Sequence, residues 1–245
     1  MAGARLVTQP LGPSDDPMQK LPPSASAPWH SVIPVIAPRF ILASASPARL
    51  RTLRAAGLDP EVVVSGVDES IVESSKAVTL CATLARLKAE AVGTRLRHHE
   101  RSPGLTLVLG CDSMLEFDGE ILGKPVDDAG AVKRWQRMRG NAGTLHTGHC
   151  LIDLDSGASA EEVGSTTVYF ADLSDEEIQA YVGTGEPAHV AGAFTIDGLG
   201  GWFVERIEGD AGTVIGVSLS VLRRLLIQLG VGVPELWAPG LPSSP

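Results

Sequence analysis

The sequence has few of the features that mark a secreted, zinc-stapled or membrane-spanning protein. Only three cysteines occur among 245 residues, at Cys81, Cys111 and Cys150, and none belongs to a CxxC pair. Their odd number and wide spacing disfavour a disulfide framework or a structural zinc site and fit a reducing compartment best. No apolar run approaches the roughly 18 residues of a membrane span. The start lacks the basic and apolar segments of a secretory signal, so we expect a cytoplasmic protein with no membrane partner.

Positive charge is also scarce. The net charge is −9, from 20 Lys and Arg against 29 Asp and Glu, which argues against a dedicated nucleic-acid binder but not against a local basic pocket. Neither GxGxxG nor GxxxxGK[ST] occurs, so neither dinucleotide nor P-loop chemistry is indicated. The apolar fraction of 44% is enough for a sizeable core.

The composition divides the chain into three parts. Residues 1–37 contain seven prolines among Ser, Ala and Gly with little periodicity, which predicts a flexible leader. Residues 38–233 form the predicted folded domain. The tail at 234–245, "PELWAPGLPSSP", is predicted to be loose.

Within the domain, stretches typical of strands and of helices alternate. The predicted strands are "RFILAS", "PEVVVSGVDE", "LTLVLGCDS", "LHTGHCLIDL", "STTVYFADL" and "GWFVERIEG". The predicted helices are "SPARLRTLRAAG", "TLCATLARLKAEAVGTRL", "DDAGAVKRWQRMRGN", "SDEEIQAYVG" and "SLSVLRRLLIQLG". Some strands follow one another directly, so the fold class is α/β with a mixed sheet. Trp202 and Phe203 are predicted to be core residues.

The stretch "ILASASPARLRTL" combines a strand end with a helix start. Ser46 stands where an N-cap belongs, and Pro47 stands at the first helical position. The free N–H groups of such a turn bind anions, the hydroxyls of Ser44 and Ser46 add donors, and Arg49 could close over a phosphate. Equally, Ser-Pro begins helices of every kind, and exposed arginines are common on them.

Asp112 follows an apolar strand, and we therefore expect it at a strand end, where ligands of open α/β sheets bind. A carboxylate there can bind Mg²⁺ or take a proton from water. Twelve residues on, Lys124 precedes Pro125 and offers a point charge for phosphate. Taken alone, Asp112 could instead form a turn, and Lys124 could be a solvated loop charge.

Two further features place charge near the predicted strands and helices. Asp68 and Glu69 follow the second predicted strand, where paired carboxylates either ligate a hard cation or begin a loop. Lys88 borders the apolar stripe of its helix, so it either faces a cleft or extends past the core to solvent.

Together these stretches resemble the Maf family of nucleoside triphosphate pyrophosphatases, also called septum-formation inhibitors. Nine segments match in the family's order between about residue 40 and residue 229. They are "LASASPARLRTLRAAGL", "VSGVDE", "LARLKAEAV", "GCDSML", "GEILGKPVD", "LHTGHCLID", "LSDEEIQAYVGTGEP", "AGAFTIDGLGGWFVERIEGD" and "VIGVSLSVLRRLL".

The resemblance implies a fold like that of the inosine-triphosphate pyrophosphatases, with two lobes around a deep cleft, and a homodimer. The implied reaction cleaves a nucleoside triphosphate between its α and β phosphates, with Mg²⁺, Mn²⁺ or Co²⁺. The implied role is house-cleaning of the nucleotide pool, with a link to cell division arrest. By position, the resemblance implies these roles: catalysis by Asp112 and Lys124, substrate binding by Ser44, Ser46, Arg49, Lys88, Ser113 and Asp197, and metal binding by Glu69 and Asp112.

Four positions depart from the family pattern and bear on substrate choice. Ala48 replaces the Arg or Trp that often follows the motif proline, and Ser113 replaces the Thr or Gln that follows the catalytic Asp. Asp197 replaces the Gln of "IQG", and Thr213 replaces the Asn of "NVxG". Asp197 can accept hydrogen bonds from a base but cannot donate them as glutamine can. We therefore expect no base preference to transfer from the family's known branches.

Two other functions stay open from the sequence. One is a non-enzymatic regulator of septum formation that senses nucleotides through the same cleft. The other is a general phosphatase or nucleotide-binding module. Pyrophosphate release distinguishes the pyrophosphatase from both, because a phosphatase releases orthophosphate and a sensor binds without turnover.

Overall fold

The computed structural model describes residues 38–72, 74–99 and 104–237. The predicted leader at 1–37 lies outside these ranges, as does the tail from residue 238. Residues 234–236 of the predicted tail form, together with Val233, the 3-10 turn Val233–Leu236, whose Leu236 side chain is buried in the core. Among the helices described, none has both the length and the apolar character that crossing a membrane requires.

Thirteen regular strands and α-helices occur within these ranges. The strands are β1 (Arg39–Leu42), β2 (Glu61–Val62), β3 (Thr106–Phe117), β4 (Glu120–Leu122), β5 (Ala142–Asp153), β6 (Ser159–Phe170) and β7 (Val204–Glu208). The helices are α1 (Pro47–Ala55), α2 (Ala77–His99), α3 (Asp128–Met138), α4 (Asp175–Val182), α5 (Ala211–Ile215) and α6 (Leu219–Gln228).

The strands form one sheet of the predicted mixed kind. Its order is β2-β1-β3-β5-β6-β7, and β4 pairs with the far end of β3. β1 runs parallel to β2 and β3, whereas the other pairs are antiparallel. The pairing of β1 with β3 ends at Leu42 opposite Leu109. Beyond that point β3 continues with β5 on its other side, and β4 pairs with its β1 edge only from Leu115 onward. Among the described residues, the β1 edge of β3 between Leu109 and Leu115 therefore has no strand partner.

Three apolar clusters surround the sheet. One packs α1 and α6 against the β1 and β3 residues that include Leu42 and Leu109. A second packs α2 on the opposite face. A third, around Trp135 and Phe170, joins α3 and α4 to the far halves of β3, β5 and β6. Along β3 the first cluster ends at Cys111 and the third begins at Leu115. The polar residues between those two positions are therefore placed where apolar packing changes from one cluster to the next.

Local signals determine where several helices begin. Ser46 caps α1 by accepting from the Arg49 N–H, with Pro47 at the first position, as predicted. Ser174 and Glu177 form the predicted capping box of α4, in which each side chain accepts from the other's backbone N–H. These contacts span three residues, which is why they could be found in the sequence.

Two of the predicted strands are shorter than expected, and one predicted core residue is exposed. The strand in "PEVVVSGVDE" covers only Glu61–Val62, and "GWFVERIEG" begins with a 3-10 turn, Leu199–Phe203, before β7. Within that turn Phe203 packs edge-on to Trp135, at a centroid distance of 6.0 Å. Trp202 is 84% exposed instead of core, because the turn directs only one of the two rings inward.

Helix α2 lies directly on the sheet backbone at Gly110 and Gly148. A Cβ at Gly110 would stand 2.1 Å from the Ala85 carbonyl oxygen, far inside van der Waals contact. We therefore expect Gly110→Ala to push α2 away from β3 and lower the free energy of unfolding by about 3 kcal/mol. Urea unfolding measures this change.

The matched control is Gly93→Ala within α2 itself. Its methyl would meet the flexible tip of Leu154 at 3.1 Å, and alanine favours a helix over glycine by about 1 kcal/mol. We expect this variant to be neutral or slightly more stable. Equal stability of Gly110→Ala and the unsubstituted protein would show that α2 does not rest on β3 as described.

Candidate functional site

Six predicted site residues meet where β1 ends beside β3, and we call them the central cluster. They are Ser44, Arg49, Glu69, Lys88, Asp112 and Ser113. The prediction that Asp112 lies at a strand end is wrong, because β3 runs on to Phe117 with Asp112 opposite Gly148 of β5. Asp112 nevertheless lies just past the last β1 pair. Because side chains alternate along a strand, Asp112 and Ser113 point to opposite faces of the sheet.

Ser44 and Ser46 form the turn between β1 and α1. The Ser44 hydroxyl oxygen accepts from the Ser46 N–H at 3.2 Å and from Arg49 Nη1 at 3.0 Å. Both contacts use the oxygen as an acceptor, so the Ser44 hydroxyl proton is still available to a ligand. The Ser46 and Arg49 N–H groups are already engaged by the turn's own hydroxyls, and Pro47 has none. The turn can therefore offer an anion the Ser44 hydroxyl and the Ala48 N–H, fewer donors than the sequence led us to expect.

Arg49 is buried, and its guanidinium is held mainly by the protein. Nε donates to the Gly216 carbonyl at 2.7 Å and Nη1 donates to the Cys111 carbonyl at 2.9 Å. Together with bonds to Ser44 and to Ser113, four of its five N–H donors have protein acceptors. Its first task is therefore to join α1, β3 and the end of α5, and its charge and last donor are what it can offer to a ligand.

A directed chain of hydrogen bonds begins at Arg49. Nη2 donates to the Ser113 hydroxyl oxygen at 2.9 Å. Thr147 donates its single proton to the Thr213 carbonyl at 2.7 Å. Since Ser113 lies 2.8 Å from the Thr147 oxygen, Ser113 must be the donor in that contact. The Ser113 proton is thus already engaged, which leaves its oxygen only as an acceptor.

On the other face of β3, Lys88 stands between two carboxylates. Its ammonium lies 2.6 Å from Asp112 Oδ1 and 2.6 Å from Glu69 Oε1. Lys88 and Asp112 are buried, whereas the Glu69 side chain is 53% exposed. Glu69 is presented by a 3-10 turn that Asp68 caps through the Ser70 N–H. Lys88 therefore faces the site. Of the two interpretations offered by the sequence, this is the cleft-facing one, and the alternative that Lys88 extends past the core to solvent does not hold.

The two carboxylate oxygens of Asp112 differ in their hydrogen bonding, since Lys88 donates only to Oδ1. Oδ2 is buried, and no donor among the described residues reaches it. A buried carboxylate oxygen without a partner is unfavourable unless a ligand supplies one. Burial raises the pKa of the Asp112 carboxyl, although Lys88 and Arg49 act in the opposite direction. Asp112 is thus a stronger base than an exposed aspartate, with one oxygen free to act.

The predicted metal ligands fit a hard divalent cation in part. Asp112 and Glu69 supply carboxylate oxygens, the atoms that Mg²⁺ prefers. However, no group of three or more metal-binding side chains occurs in the described part of the chain. Such a donor set suits a metal that is held by one or two carboxylates together with phosphates of a bound substrate.

Lys124 is exposed in the loop after β4 and is not part of the contacts that join the central cluster. The preceding carbonyl, that of Gly123, accepts from Arg134 Nη1 at 2.6 Å and from the Gly192 N–H at 3.1 Å. The backbone before Lys124 is thus held by α3 and by the segment that leads to Asp197. Within the described ranges, its ammonium makes no ion pair or hydrogen bond to the central cluster.

Asp197 also lies outside the central cluster, in the loop between Phe194 and the Leu199–Phe203 turn. Its Oδ2 accepts from Arg51 Nη2 at 3.0 Å. Arg51 lies on α1, two residues after Arg49, so this ion pair links the Asp197 loop to the helix that begins at the anion-binding turn. The site residues therefore fall into a buried central part and two loops beside it.

The sequence interpretation missed two residues that shape this site. Thr147 is fully buried and links Ser113 to Thr213. Its signal was a polar residue inside the buried stretch "LHTGHCLID" of β5. Arg51 had no signal of its own, because its partner Asp197 lies 146 positions away.

The fold and site define an α/β protein with a mixed sheet and a buried carboxylate among cationic and hydroxyl groups. Residues 39–229 match the family model described as Maf-like protein. A nucleoside triphosphate pyrophosphatase of Salinispora tropica is 62% identical over 207 residues, which cover 84% of this chain and 91% of that relative. One from Streptomyces coelicolor is 53% identical over 201 residues, covering 82% and 95%. The chain belongs to the Maf-like protein family.

Proposed function

We propose that this protein hydrolyses nucleoside triphosphates to nucleoside monophosphates and pyrophosphate. The observation that carries the proposal is the buried Asp112, whose Oδ2 is free while Lys88 holds its Oδ1 at 2.6 Å. The names of the relatives, 62% and 53% identical to this chain, support the same reaction.

Each residue has a proposed role in binding the triphosphate. The first turn of α1 and the Ser44 hydroxyl donate hydrogen bonds to phosphate oxygens. Lys88, Lys124 and Arg49 supply the positive charge that phosphoryl transfer requires, since this reaction depends mainly on positioning and charge neutralisation. Asp197 accepts hydrogen bonds from the base.

Asp112 acts on the water that cleaves the anhydride. Its Oδ2 accepts a proton from that water, while Lys88 keeps the side chain oriented through Oδ1. A base is most effective when its pKa approaches the working pH, and burial moves the pKa of Asp112 in that direction.

A divalent cation fits the same proposal. In this alternative, Asp112 Oδ2 would hold the cation together with Glu69 in place of accepting the proton itself. When bound, such a cation neutralises phosphate oxygens and lowers the pKa of bound water. Whether Asp112 acts as base or as ligand is tested below.

The test is a panel of canonical and modified nucleoside triphosphates with Mg²⁺, Mn²⁺ or Co²⁺. We expect metal-dependent release of one pyrophosphate for each nucleoside monophosphate formed. Orthophosphate release instead would indicate a general phosphatase. Tight nucleotide binding without turnover for every metal would indicate the nucleotide-sensing regulator and would overturn the proposal.

Several expectations from the sequence stay predictions. The resemblance implies the deep cleft between two lobes, the homodimer and the link to cell division arrest, whereas composition and charge imply the cytoplasmic location and the absence of nucleic-acid partners.

A further inference from the structure

Glu186 is the centre of a hydrogen-bond network outside the central cluster. It begins the 3-10 turn Glu186–His189 that follows α4. Its Oε1 accepts from the Tyr181 hydroxyl at 2.8 Å, from the Thr195 hydroxyl at 2.7 Å and from the Gly200 N–H at 2.9 Å. Its Oε2 accepts from the Leu199 N–H at 3.0 Å. One carboxylate therefore holds four donors, and three of them belong to a single loop.

That loop is 195–200, which carries Asp197 in its middle. Thr195 is bound at one end, and Leu199 and Gly200 are bound at the other. The Tyr181 hydroxyl oxygen also accepts from the Thr195 N–H at 3.3 Å. Both ends of the loop are thus tied to Glu186, and the Thr195 end is also tied to Tyr181. Asp197 therefore extends from a segment that is held on both sides.

The support under this network is rigid. Tyr181 is buried, and its ring packs edge-on to Trp135 with a centroid distance of 5.5 Å. It also contacts the Phe203 ring at 5.2 Å. Since these rings belong to the apolar cluster around Trp135 and Phe170, the position of the Glu186 carboxylate follows from core packing.

The loop backbone approaches this support too closely for larger residues. A Cβ at Gly198 would lie 2.6 Å from Glu186 Oε2, and a Cβ at Gly200 would lie 2.4 Å from the Tyr181 hydroxyl oxygen. Gly198 and Gly200, two of the three glycines of "DGLGG", are therefore explained by direct packing of backbone on the Glu186 network. The backbone of the loop therefore packs closely against Glu186. Such close packing is not expected around an ordinary surface carboxylate.

The network requires an ionised carboxylate. Burial opposes ionisation of Glu186, but hydrogen bonds from Thr195, Leu199, Gly200 and Tyr181 outweigh it and lower its pKa. All four contacts are accepted by its oxygens, so a neutral amide could not replace it fully. A glutamine that kept its oxygen at the Oε1 place would turn its NH₂ group toward the Leu199 N–H.

We propose that Glu186 is a positioning residue that fixes loop 195–200 and, through it, holds Asp197 where it distinguishes the bases of nucleoside triphosphates. This inference rests on the proposed function, because it needs Asp197 to contact the base. Glu186 itself is too fully engaged with the loop to act on the substrate. Arg51 of α1 donates to the Asp197 carboxylate at 3.0 Å and so restricts the orientation of that side chain.

The test compares kcat and KM for pyrophosphate release from ATP, GTP, CTP and UTP. In Glu186→Gln, we expect KM for the preferred nucleotide to rise about tenfold. The kcat/KM ratio between the best and the poorest base should fall by about the same factor. We expect kcat at saturation to change little, because the central cluster is untouched.

Two further variants test whether the effect depends on the bonds that Glu186 makes to the loop. Thr195→Val removes one donor to Glu186 at nearly constant volume, and we expect a smaller loss of selectivity in the same direction. Glu176→Gln, an exposed carboxylate in the first turn of α4, should keep both the selectivity and KM.

The outcomes separate this inference from the proposed function. If the unsubstituted protein releases no pyrophosphate from any nucleotide, the proposed function fails. If it releases pyrophosphate equally from all four, or if Glu186→Gln and Thr195→Val keep its selectivity, the positioning role is overturned. A purely structural role would lower the melting temperature and reduce turnover of every nucleotide alike.

Discussion

Replacing Asp112 with asparagine is expected to lower kcat for pyrophosphate release about 10³-fold in a protein that stays folded. The amide keeps the size of the side chain but can neither accept the proton of water nor carry the charge that binds a cation. Lys88 would still have Glu69 at 2.6 Å, so the change does not leave a buried ammonium without a partner. Steady-state pyrophosphate release measures the first effect, and circular dichroism with thermal melting measures the second.

The control for this variant lies on the same strand. Glu116 is four residues further along β3 on the same face, and its side chain is exposed. Glu116→Gln should therefore keep normal turnover. Normal turnover of Asp112→Asn would contradict both proposed roles of the carboxylate. If a higher Mg²⁺ or Mn²⁺ concentration restores part of the lost activity, Asp112 acts as a ligand, whereas a loss that metal cannot repair indicates the base.

The start of α1 shows what the sequence alone could establish about the fold. The Ser46 cap and Pro47 depend on residues within one helical turn, and both are found as predicted. The capping box of α4 is equally local. The α/β class followed from the alternation of strand and helix patterns, and the mixed sheet followed from predicted strands that succeed one another without a helix between them.

The extent of β3 could not be predicted in the same way. The apolar pattern stops at Cys111, yet the ladder to β5 continues through Glu116 opposite Thr144. The strand tolerates polar residues at 112 and 113 because Lys88 binds one oxygen of Asp112 and Arg49 donates to the Ser113 hydroxyl. These partners lie 24 and 64 positions away in the chain, so no periodicity in the strand itself could reveal them.

Large separations along the chain also explain why the sequence identified site residues better than it predicted their roles. Arg49 was expected to close over a phosphate, but one of its partners, Gly216, is 167 positions away. The sequence did not predict a role for Glu186, because the residues next to it in the chain do not distinguish it from the other acidic residues. Its four donors converge only when α4 and the 195–200 loop have packed together.

Replacing Arg49 with alanine is expected to lower the free energy of unfolding by about 4 kcal/mol. The substitution deprives the buried carbonyls of Gly216 and Cys111 of a charged donor and removes the start of the Ser113 chain. Buried acceptors that lose their donors cost about 1–3 kcal/mol each, and the fixed guanidinium fork has no substitute nearby. Urea unfolding of the ligand-free protein measures the change, and it does so without any assumption about substrate.

Comparison with two other variants identifies the cause of that loss. Arg49→Lys keeps the charge but replaces the planar fork with a single ammonium, so it should recover only part of the stability. Arg54→Ala, on the exposed side of the same helix, should change stability by no more than about 0.5 kcal/mol. If Arg49 served only to bind phosphate, the Ala and Lys variants would raise KM and unfold at the urea concentration of the original protein. A large loss of stability in Arg49→Ala would instead mean that the side chain first builds the site, by holding α1, β3 and α5 in the arrangement that presents Ser44 and Asp112.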